Sequence, residues 1–175
     1  MTPGAPTLAA GAWTLRQAGP QDFAALVALQ HAAYAKNRER LGVEPIPLLA
    51  DYRVVRAERE VWVLDGDTGL RAALILEPQS GCLLIESIAT DPAAQGQGLG
   101  RALLAAAETR AQELGCAMLR LFTGAPLVHL IAWYARHGYS VERREALRDR
   151  EIVHMVKHLR PGQEELPQCR ALPPI

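Results

Sequence analysis

Residues 95–101 read Gln95-Gly96-Gln97-Gly98-Leu99-Gly100-Arg101 and connect an apolar predicted strand to an amphipathic predicted helix. Glycine has no Cβ, so the backbone of this segment can come close to a ligand. The N–H groups of such a loop and of the helix N-terminus converge on an anion, favourably a phosphate or pyrophosphate. A plain flexible turn is the alternative, but each glycine placed inside the helix would weaken it by about 1 kcal/mol. The segment therefore favours a phosphate-binding loop.

The common nucleotide-binding loops do not fit this segment. A dinucleotide fingerprint needs a third glycine where the chain has Arg101, and a Walker loop needs Gly-Lys followed by Ser or Thr, which the sequence lacks. The preceding residues also alternate as an antiparallel meander and do not repeat a strand–helix–strand unit. An NAD- or ATP-binding domain is therefore a poor match.

Working outward from the loop, the periodicity predicts a mixed sheet. Strands are predicted at 61–64, 70–77 and 82–89, separated by turns, then a helix at 98–114 and a strand at 117–122. The strands on either side of that helix should be parallel, because a strand–helix–strand crossover joins them. The remaining predictions are strands at 13–18, 141–147 and 151–159 and helices at 20–40, 48–60 and 126–137.

These elements predict an α+β fold with a mixed, mostly antiparallel sheet, one parallel strand pair and flanking helices. One domain is expected at 13–159, between a flexible N-terminal arm (1–12) and a Pro-rich C-terminal tail (160–175). The 175 residues, 49% of them hydrophobic, are enough for one core. Cys82, Cys116 and Cys169 form no CxxC motif and are odd in number, which favours a reducing, cytoplasmic setting.

The charge balance excludes some classes of partner. Lys plus Arg and Asp plus Glu both number 19, so the formal net charge is zero. A general electrostatic attraction to nucleic acid or to an anionic membrane is therefore not expected. No apolar run approaches the roughly 20 residues of a membrane helix, and the N-terminus lacks the pattern of a secretory signal.

Two motifs resemble those of the GNAT superfamily of N-acetyltransferases. Gln95, Gly98 and Gly100 fill the acyl-CoA motif, which is Arg or Gln, two residues, Gly, one residue, then Gly or Ala. The segment Trp133-Tyr134-Ala135-Arg136-His137-Gly138-Tyr139 resembles the second signature, an apolar-Tyr pair, three residues, then Gly-aromatic. The resemblance covers about residues 13–159, and residues 41–52 resemble a segment of a bacterial GNAT subgroup.

The resemblance implies an acetyl-CoA-dependent N-acetyltransferase that moves an acetyl group to a primary amine by direct attack in a ternary complex. It implies no metal and no covalent enzyme intermediate. The pantetheine arm would pair with the backbone of the splayed strand, and the pyrophosphate would lie on the glycine loop. The implied CoA-binding residues are Ile88, Ala89, Thr90, Gln95, Gly96, Gln97, Gly98, Leu99, Gly100 and Arg101.

Two residues are candidates for proton transfer. By the resemblance, Tyr134 lies beside the CoA sulfur and would protonate the departing thiolate, a step worth about 10²–10⁴-fold. The alternative is a core aromatic residue. Glu86 lies in the predicted apolar strand, on one face with Leu84 and Ile88, where burial would raise its pKa and suit it to accept the amine proton. A glutamate at this position also resembles GNAT enzymes that act on polyamines; the alternative is a partnered, structural carboxylate.

The acceptor is less well specified. By the resemblance, its pocket is built by the first two helices, their loop and the last hairpin, where Glu44 and Asp51 could attract an ammonium group or serve as loop and cap residues. A small amine or amino-acid-like molecule is the first expectation and a protein amine the second, with a homodimer possible by resemblance. Many relatives carry Asn four or seven residues before the tyrosine, where this chain has Leu130 and Leu127. That departure favours the alternative of a non-catalytic acyl-CoA-binding sensor.

The histidines carry less weight. His154 and His158 have the spacing of a helical zinc pair but lie in a predicted strand, so exposed or edge histidines are expected. His129 and His137 flank Tyr134 and are expected at the surface. The charged residues at 142–151 balance one another and are expected to form a solvated hairpin face.

Overall fold

The computed structural model describes residues 7–159, in which eight strands form one sheet of order β1-β2-β3-β4-β5-β6-β8-β7. The strands are β1 (Thr7–Ala10), β2 (Trp13–Gln17), β3 (Glu60–Gly66), β4 (Gly69–Gln79), β5 (Cys82–Thr90), β6 (Met118–Gly124), β7 (Ser140–Ala146) and β8 (Glu151–His158). The helices are α1 (Phe23–Leu41), α2 (Tyr52–Glu58), α3 (Leu99–Glu113) and α4 (Val128–Arg136). None of these helices is both long and apolar enough to cross a membrane.

The predicted α+β fold with one parallel strand pair is confirmed. Strands β5 and β6, joined through α3, pair in parallel, and every other pair in the sheet of residues 7–159 is antiparallel. The parallel ladder runs from Cys82 opposite Met118 to Ile85 opposite Leu121 and then ends, although β5 continues to Thr90. The last residues of β5 therefore present unpaired backbone toward β6.

Helices cover both faces of the sheet. One core cluster joins Leu103 and Ala107 of α3 to Leu74 of β4, and the other joins Leu26 of α1 to Ile75 of the same strand. Neighbouring residues of β4 thus face opposite layers, as the two-residue repeat of a strand requires. Cys82 and Cys116 are buried, as expected for small packing residues, and Cys169 lies outside the described residues.

A β-bulge interrupts the alternation in β5. Ile75 lies opposite Ser87 and Leu76 lies opposite Ile85, so Glu86 is the extra residue. Beyond the bulge, Ile88 packs against the cluster that includes α3, whereas Glu86 bonds Arg59, which follows α2. The expectation that Glu86 and Ile88 share one face is therefore wrong, because the extra residue reverses the pattern.

Two predicted boundaries also change. Part of the predicted N-terminal arm is strand β1, where Leu8 and Ala10 are buried and pair with β2. Helix α2 begins only at Tyr52, because Asp51 caps it by accepting a hydrogen bond from the N–H of Arg53. Residues 1–6 of the predicted arm and the predicted tail at 160–175 lie outside the described residues.

Candidate active site

The glycine loop has the conformation that its sequence indicates. Gly96 and Gly98 have φ angles of +80° and +82°, in the left-handed region that favours glycine. Gly98 is the N-cap of α3, and the first helical donor is the N–H of Ala102, which bonds the Gly98 carbonyl. The N–H groups of 96–101 precede that bond, so they are available to an anion at the positive end of the helix.

Contacts from two sides hold this loop in place. The Asp91 side chain accepts the N–H of Ala93 at 3.0 Å, and the Asp91 N–H donates to the Arg71 carbonyl at 2.9 Å. The Arg71 guanidinium in turn donates to the side-chain oxygen of Gln97. Arg71 therefore places a positive charge beside the predicted phosphate site. Its role could not be predicted from the sequence, because a single arginine in a strand belongs to no motif.

A cavity of about 610 Å³ opens beside the loop, between α1, α4 and the ends of β5, β6 and the β7–β8 hairpin. It is lined by five groups of predicted site residues: Glu86, Ile88 with Thr90, Gln95, Gly100 and Tyr134. The structure thus brings both candidate proton-transfer residues, the splayed strand and the loop into one space. The other predicted CoA-binding residues do not line it: Ala89 is buried, and Gly96, Gln97, Gly98, Leu99 and Arg101 complete the adjoining loop and first helical turn.

Tyr134 lies on α4 among other aromatic rings. Its ring makes edge contacts with Trp133 and Tyr139, at centroid distances of 5.0 and 5.9 Å. Burial, and next the neighbouring Tyr34, raise the pKa of the Tyr134 hydroxyl, which therefore keeps its proton at neutral pH. Within residues 7–159 this hydroxyl has no hydrogen-bond partner, which leaves its proton free for a ligand in the cavity.

Glu86 is both partnered and desolvated. Its Oε2 accepts a hydrogen bond of 2.6 Å from Nε of Arg59, whose other nitrogens lie 3.5 Å from Glu77 and 3.6 Å from Glu58. Burial nevertheless outweighs the arginine, so the pKa of Glu86 is raised, with Glu77 contributing in the same direction. The carboxylate is thus held in place and has an increased affinity for protons.

A buried hydrogen-bond chain lies next to this carboxylate. The Ser87 hydroxyl donates to Oε1 of Gln30 at 2.9 Å, and the Tyr34 hydroxyl lies 3.1 Å from Ser87 Oγ and 3.3 Å from the Ile88 carbonyl. Burial raises the pKa of Tyr34. The chain fixes α1 against the bulge. Tyr34 lies on α1, which was expected to form part of the acceptor pocket, and its contact with Ser87 could not be predicted because the bulge turns Ser87 toward α1.

The residues expected around the acceptor pocket have different surroundings in the structure. Glu44 pairs with Arg38 at 2.5 Å and Asp51 caps α2, so both are loop and cap residues. Leu127 and Leu130 line the cavity, so its wall is apolar where many relatives carry Asn. Arg150, expected on a solvated face, instead lines the cavity and bonds the Glu44 carbonyl, which ties the hairpin to the α1–α2 loop.

Three histidines have hydrogen-bond partners in the structure. His129 is exposed, as expected, and lies 2.9 Å from a guanidinium nitrogen of Arg40 at the edge of the cavity. His137 has Nδ1 2.8 Å from the Trp133 carbonyl. His154 lies in strand β8 as predicted, but it is buried and bonds Glu145 at 2.8 Å, so the expectation of an exposed or edge histidine is wrong for it.

Known proteins share the sequence pattern and the fold of this chain. Residues 25–139 match the Acetyltransferase (GNAT) family. No curated protein sequence gives a significant match. Many solved structures are similar. The ribosomal-protein-S18-alanine N-acetyltransferase of Escherichia coli is 21% identical, with a TM-score of 0.64 over 88% of this chain and 98% of that one.

Two further neighbours were crystallised with ligands. PaiA N-acetyltransferase from Thermoplasma acidophilum, in complex with coenzyme A, is 16% identical and has a TM-score of 0.64 over 82% of this chain and 97% of that one. A GNAT family acetyltransferase from Elizabethkingia anophelis, with acetyl-CoA bound, is 17% identical and has a TM-score of 0.55 over 64% and 87%. At these identities the likeness shows a shared fold. With the family match over most of the chain, it follows that this protein belongs to the GNAT acetyltransferase family.

Proposed function

We propose that this protein is an acetyl-CoA-dependent N-acetyltransferase that acetylates a primary amine by direct attack in a ternary complex. The observation that carries the proposal is the single cavity in which Gln95 and Gly100 of the loop, the splayed end of β5, Glu86 and Tyr134 come together. A small amine is the favoured acceptor. The family match and the CoA-bound neighbours support the acyl donor.

The loop and the strand end fit CoA. A Cβ built at Gly96 or Gly98 would meet no atom within 4 Å, so the surface above these residues is open for a pyrophosphate at the helix terminus. Residues 86–90 have no strand partner on the side toward β6, where only the Ile88 carbonyl is bonded, by Tyr34, and this edge suits the amides of a pantetheine arm. When bound, acetyl-CoA supplies the activated acetyl group, and the chain supplies position and proton transfer.

The two side chains have complementary tasks. Glu86 accepts the proton that the amine must lose, directly or through a water, because an alkylammonium with a pKa near roughly 10 is no nucleophile at pH 7. Tyr134 keeps its own proton at neutral pH and donates it toward the departing sulfur. Arg59 orients Glu86 through its hydrogen bond, and the aromatic neighbours fix the ring of Tyr134.

A sensor that binds acyl-CoA without turnover is the second candidate, and Leu127 and Leu130 in the cavity wall favour it. A thiol-release assay with a panel of amines separates the two. Release that depends on an amine supports the enzyme, whereas CoA binding with no release for any amine supports the sensor. Thermal stabilisation by CoA but not by NAD or ATP excludes a nucleotide-binding domain.

Replacing Gly98 by alanine is expected to weaken CoA binding about tenfold. A side chain in the left-handed region costs roughly 1–2 kcal/mol, and the loop can escape that cost by leaving the conformation that presents its N–H groups. Calorimetric titration with CoA measures the effect. Gly115→Ala is the matched control, because Gly115 has a φ of +69°, is equally open and lies about 25 Å away at the other end of α3. Equal losses of affinity in both variants would contradict the prediction.

A further inference from the structure

The carboxylates that line the cavity have partners of opposite charge, whereas most of the cations that line it do not. Its carboxylates are paired with arginines that do not themselves line the cavity: Glu86 lies 2.6 Å from Arg59, and Glu151 lies 3.5 Å from Arg144. Among its cations, Arg150 is paired with Asp149 at 2.6 Å. The remaining cations, Lys36, Arg40 and Arg136, have no carboxylate partner within residues 7–159. The cavity therefore carries an excess of positive charge, although the whole chain is neutral.

These cations lie at two ends of the cavity. Arg136 ends α4, close to Trp133, whose indole ring faces Gly100 of the loop. Arg40 contacts His129 at the opposite end of α4, seven residues or about 10 Å away along the helix axis. Lys36 is four residues before Arg40 on α1, so both project from the same side of that helix. Arg40 thus lies at the end remote from the CoA loop, and Lys36 lies about one helical turn from it on the same side of α1.

The groups around Lys36 and Arg40 do not neutralise them. Burial and the neighbouring arginine lower the pKa of His129, so this imidazole is uncharged at neutral pH. Asn37, between the two cations in sequence, also lines the cavity and adds a neutral hydrogen-bonding group. Both cations are exposed enough to reorient toward a ligand. Together they form a cationic part of the cavity wall, which we call the Lys36–Arg40 wall.

We propose that the acceptor amine also carries an anionic group, a carboxylate or a phosphate ester, which binds the Lys36–Arg40 wall. The proposal rests on the acetyltransferase function above. With its anion on this wall, the acceptor spans the cavity and presents its amino group toward Glu86 and Tyr134. A polyamine is disfavoured, because its second ammonium group would meet uncompensated cations and the nearby carboxylate of Glu86 is already held by Arg59.

Matched acceptors test the class of substrate. Acetylation is measured by thiol release for L-alanine and β-alanine against their carboxamides, for O-phosphoethanolamine against ethanolamine, and for putrescine and spermidine. We expect the anionic member of at least one pair to have a kcat/KM at least about tenfold above its neutral partner, corresponding to one charge-assisted contact. The pair that shows the difference identifies the anion as carboxylate or phosphate.

Variants test the wall itself. Lys36→Gln and Arg40→Gln are each expected to raise KM for the preferred anionic acceptor about tenfold, with kcat and CoA affinity little changed, since the wall binds the acceptor away from the reacting atoms. Arg148→Gln is the control, because Arg148 is exposed on the hairpin and does not line the cavity. The inference is overturned if neutral amines or polyamines are acetylated as well as the anionic acceptors. It is also overturned if the preference for anionic acceptors is unchanged in both variants. Either result leaves the acetyltransferase function standing. Absence of thiol release with every amine overturns both.

Discussion

Tyr134→Phe is expected to lower kcat by about 10²–10⁴-fold while CoA affinity and thermal stability stay near those of the parent chain. Tyr134 lines the cavity and its hydroxyl has no hydrogen-bond partner in the described residues, so its removal breaks no internal hydrogen bond. Burial raises its pKa and keeps it protonated, which makes it a donor toward a leaving thiolate and not a base. The loss should therefore appear in the chemical step, measured by single-turnover thiol release.

Tyr139→Phe is the matched control for this variant. Tyr139 touches the Tyr134 ring and its hydroxyl is also buried, yet it does not line the cavity. Loss of that hydroxyl should leave kcat unchanged, because no reacting atom can reach it. Parent-like turnover in Tyr134→Phe would remove the proton-donor role, and an equal fall in both variants would show that the effect is not specific to the hydroxyl of Tyr134.

Glu86→Gln is expected to reduce kcat/KM by about 10²–10⁴-fold and to abolish the acidic limb of its pH profile, expressed per unprotonated acceptor. A base works only when ionised, so activity rises with pH through the pKa of Glu86, which burial raises above the ordinary value for a glutamate. Arg59 does not become an isolated charge in this variant, because Glu77 and Glu58 remain 3.5 and 3.6 Å from its guanidinium nitrogens. Thermal unfolding of the variant checks that the fold survives.

Glu77→Gln separates a base from a carboxylate that merely holds Arg59. Glu77 contacts the same arginine but lies outside the cavity lining. Its charge raises the pKa of Glu86, so its removal should move the acidic limb to lower pH and keep the maximal rate. If Glu86→Gln keeps the acidic limb, Glu86 is structural, whatever the fall in rate.

The sequence predicts the parts of this site that depend on local chemistry. Alternating glycines before an amphipathic helix require left-handed backbone, and Gly96 and Gly98 have it. The apolar residues change from alternating to helical spacing around 98–114. This change predicts the parallel pair of β5 and β6, because a helix that connects two neighbouring strands brings the chain back in the same direction. These features depend on residues close to one another along the chain.

Features that depend on distant residues could not be predicted. The bulge at Glu86 arises from the register between β4 and β5, and no single residue in β5 indicates it. The Arg59 contact and the Lys36–Arg40 wall exist because α1 and α2 dock on the sheet beside the splay. The four residue pairs with β2 that make β1 a strand are equally hard to predict from an Ala-rich segment, because they depend on β2 lying beside it.

The contact between Gly100 and Trp133 limits how related sequences can vary. A Cβ at position 100 would lie 3.4 Å from two atoms of the indole ring, at van der Waals contact, so alanine fits but a side chain that extends further toward the ring requires the indole to move. Positions 100 and 133 therefore constrain each other in size, and a bulkier first residue requires a smaller second ring. Substitutions at the two positions should thus be tolerated jointly where each fails alone, and a paired library of variants at 100 and 133 would reveal this coupling.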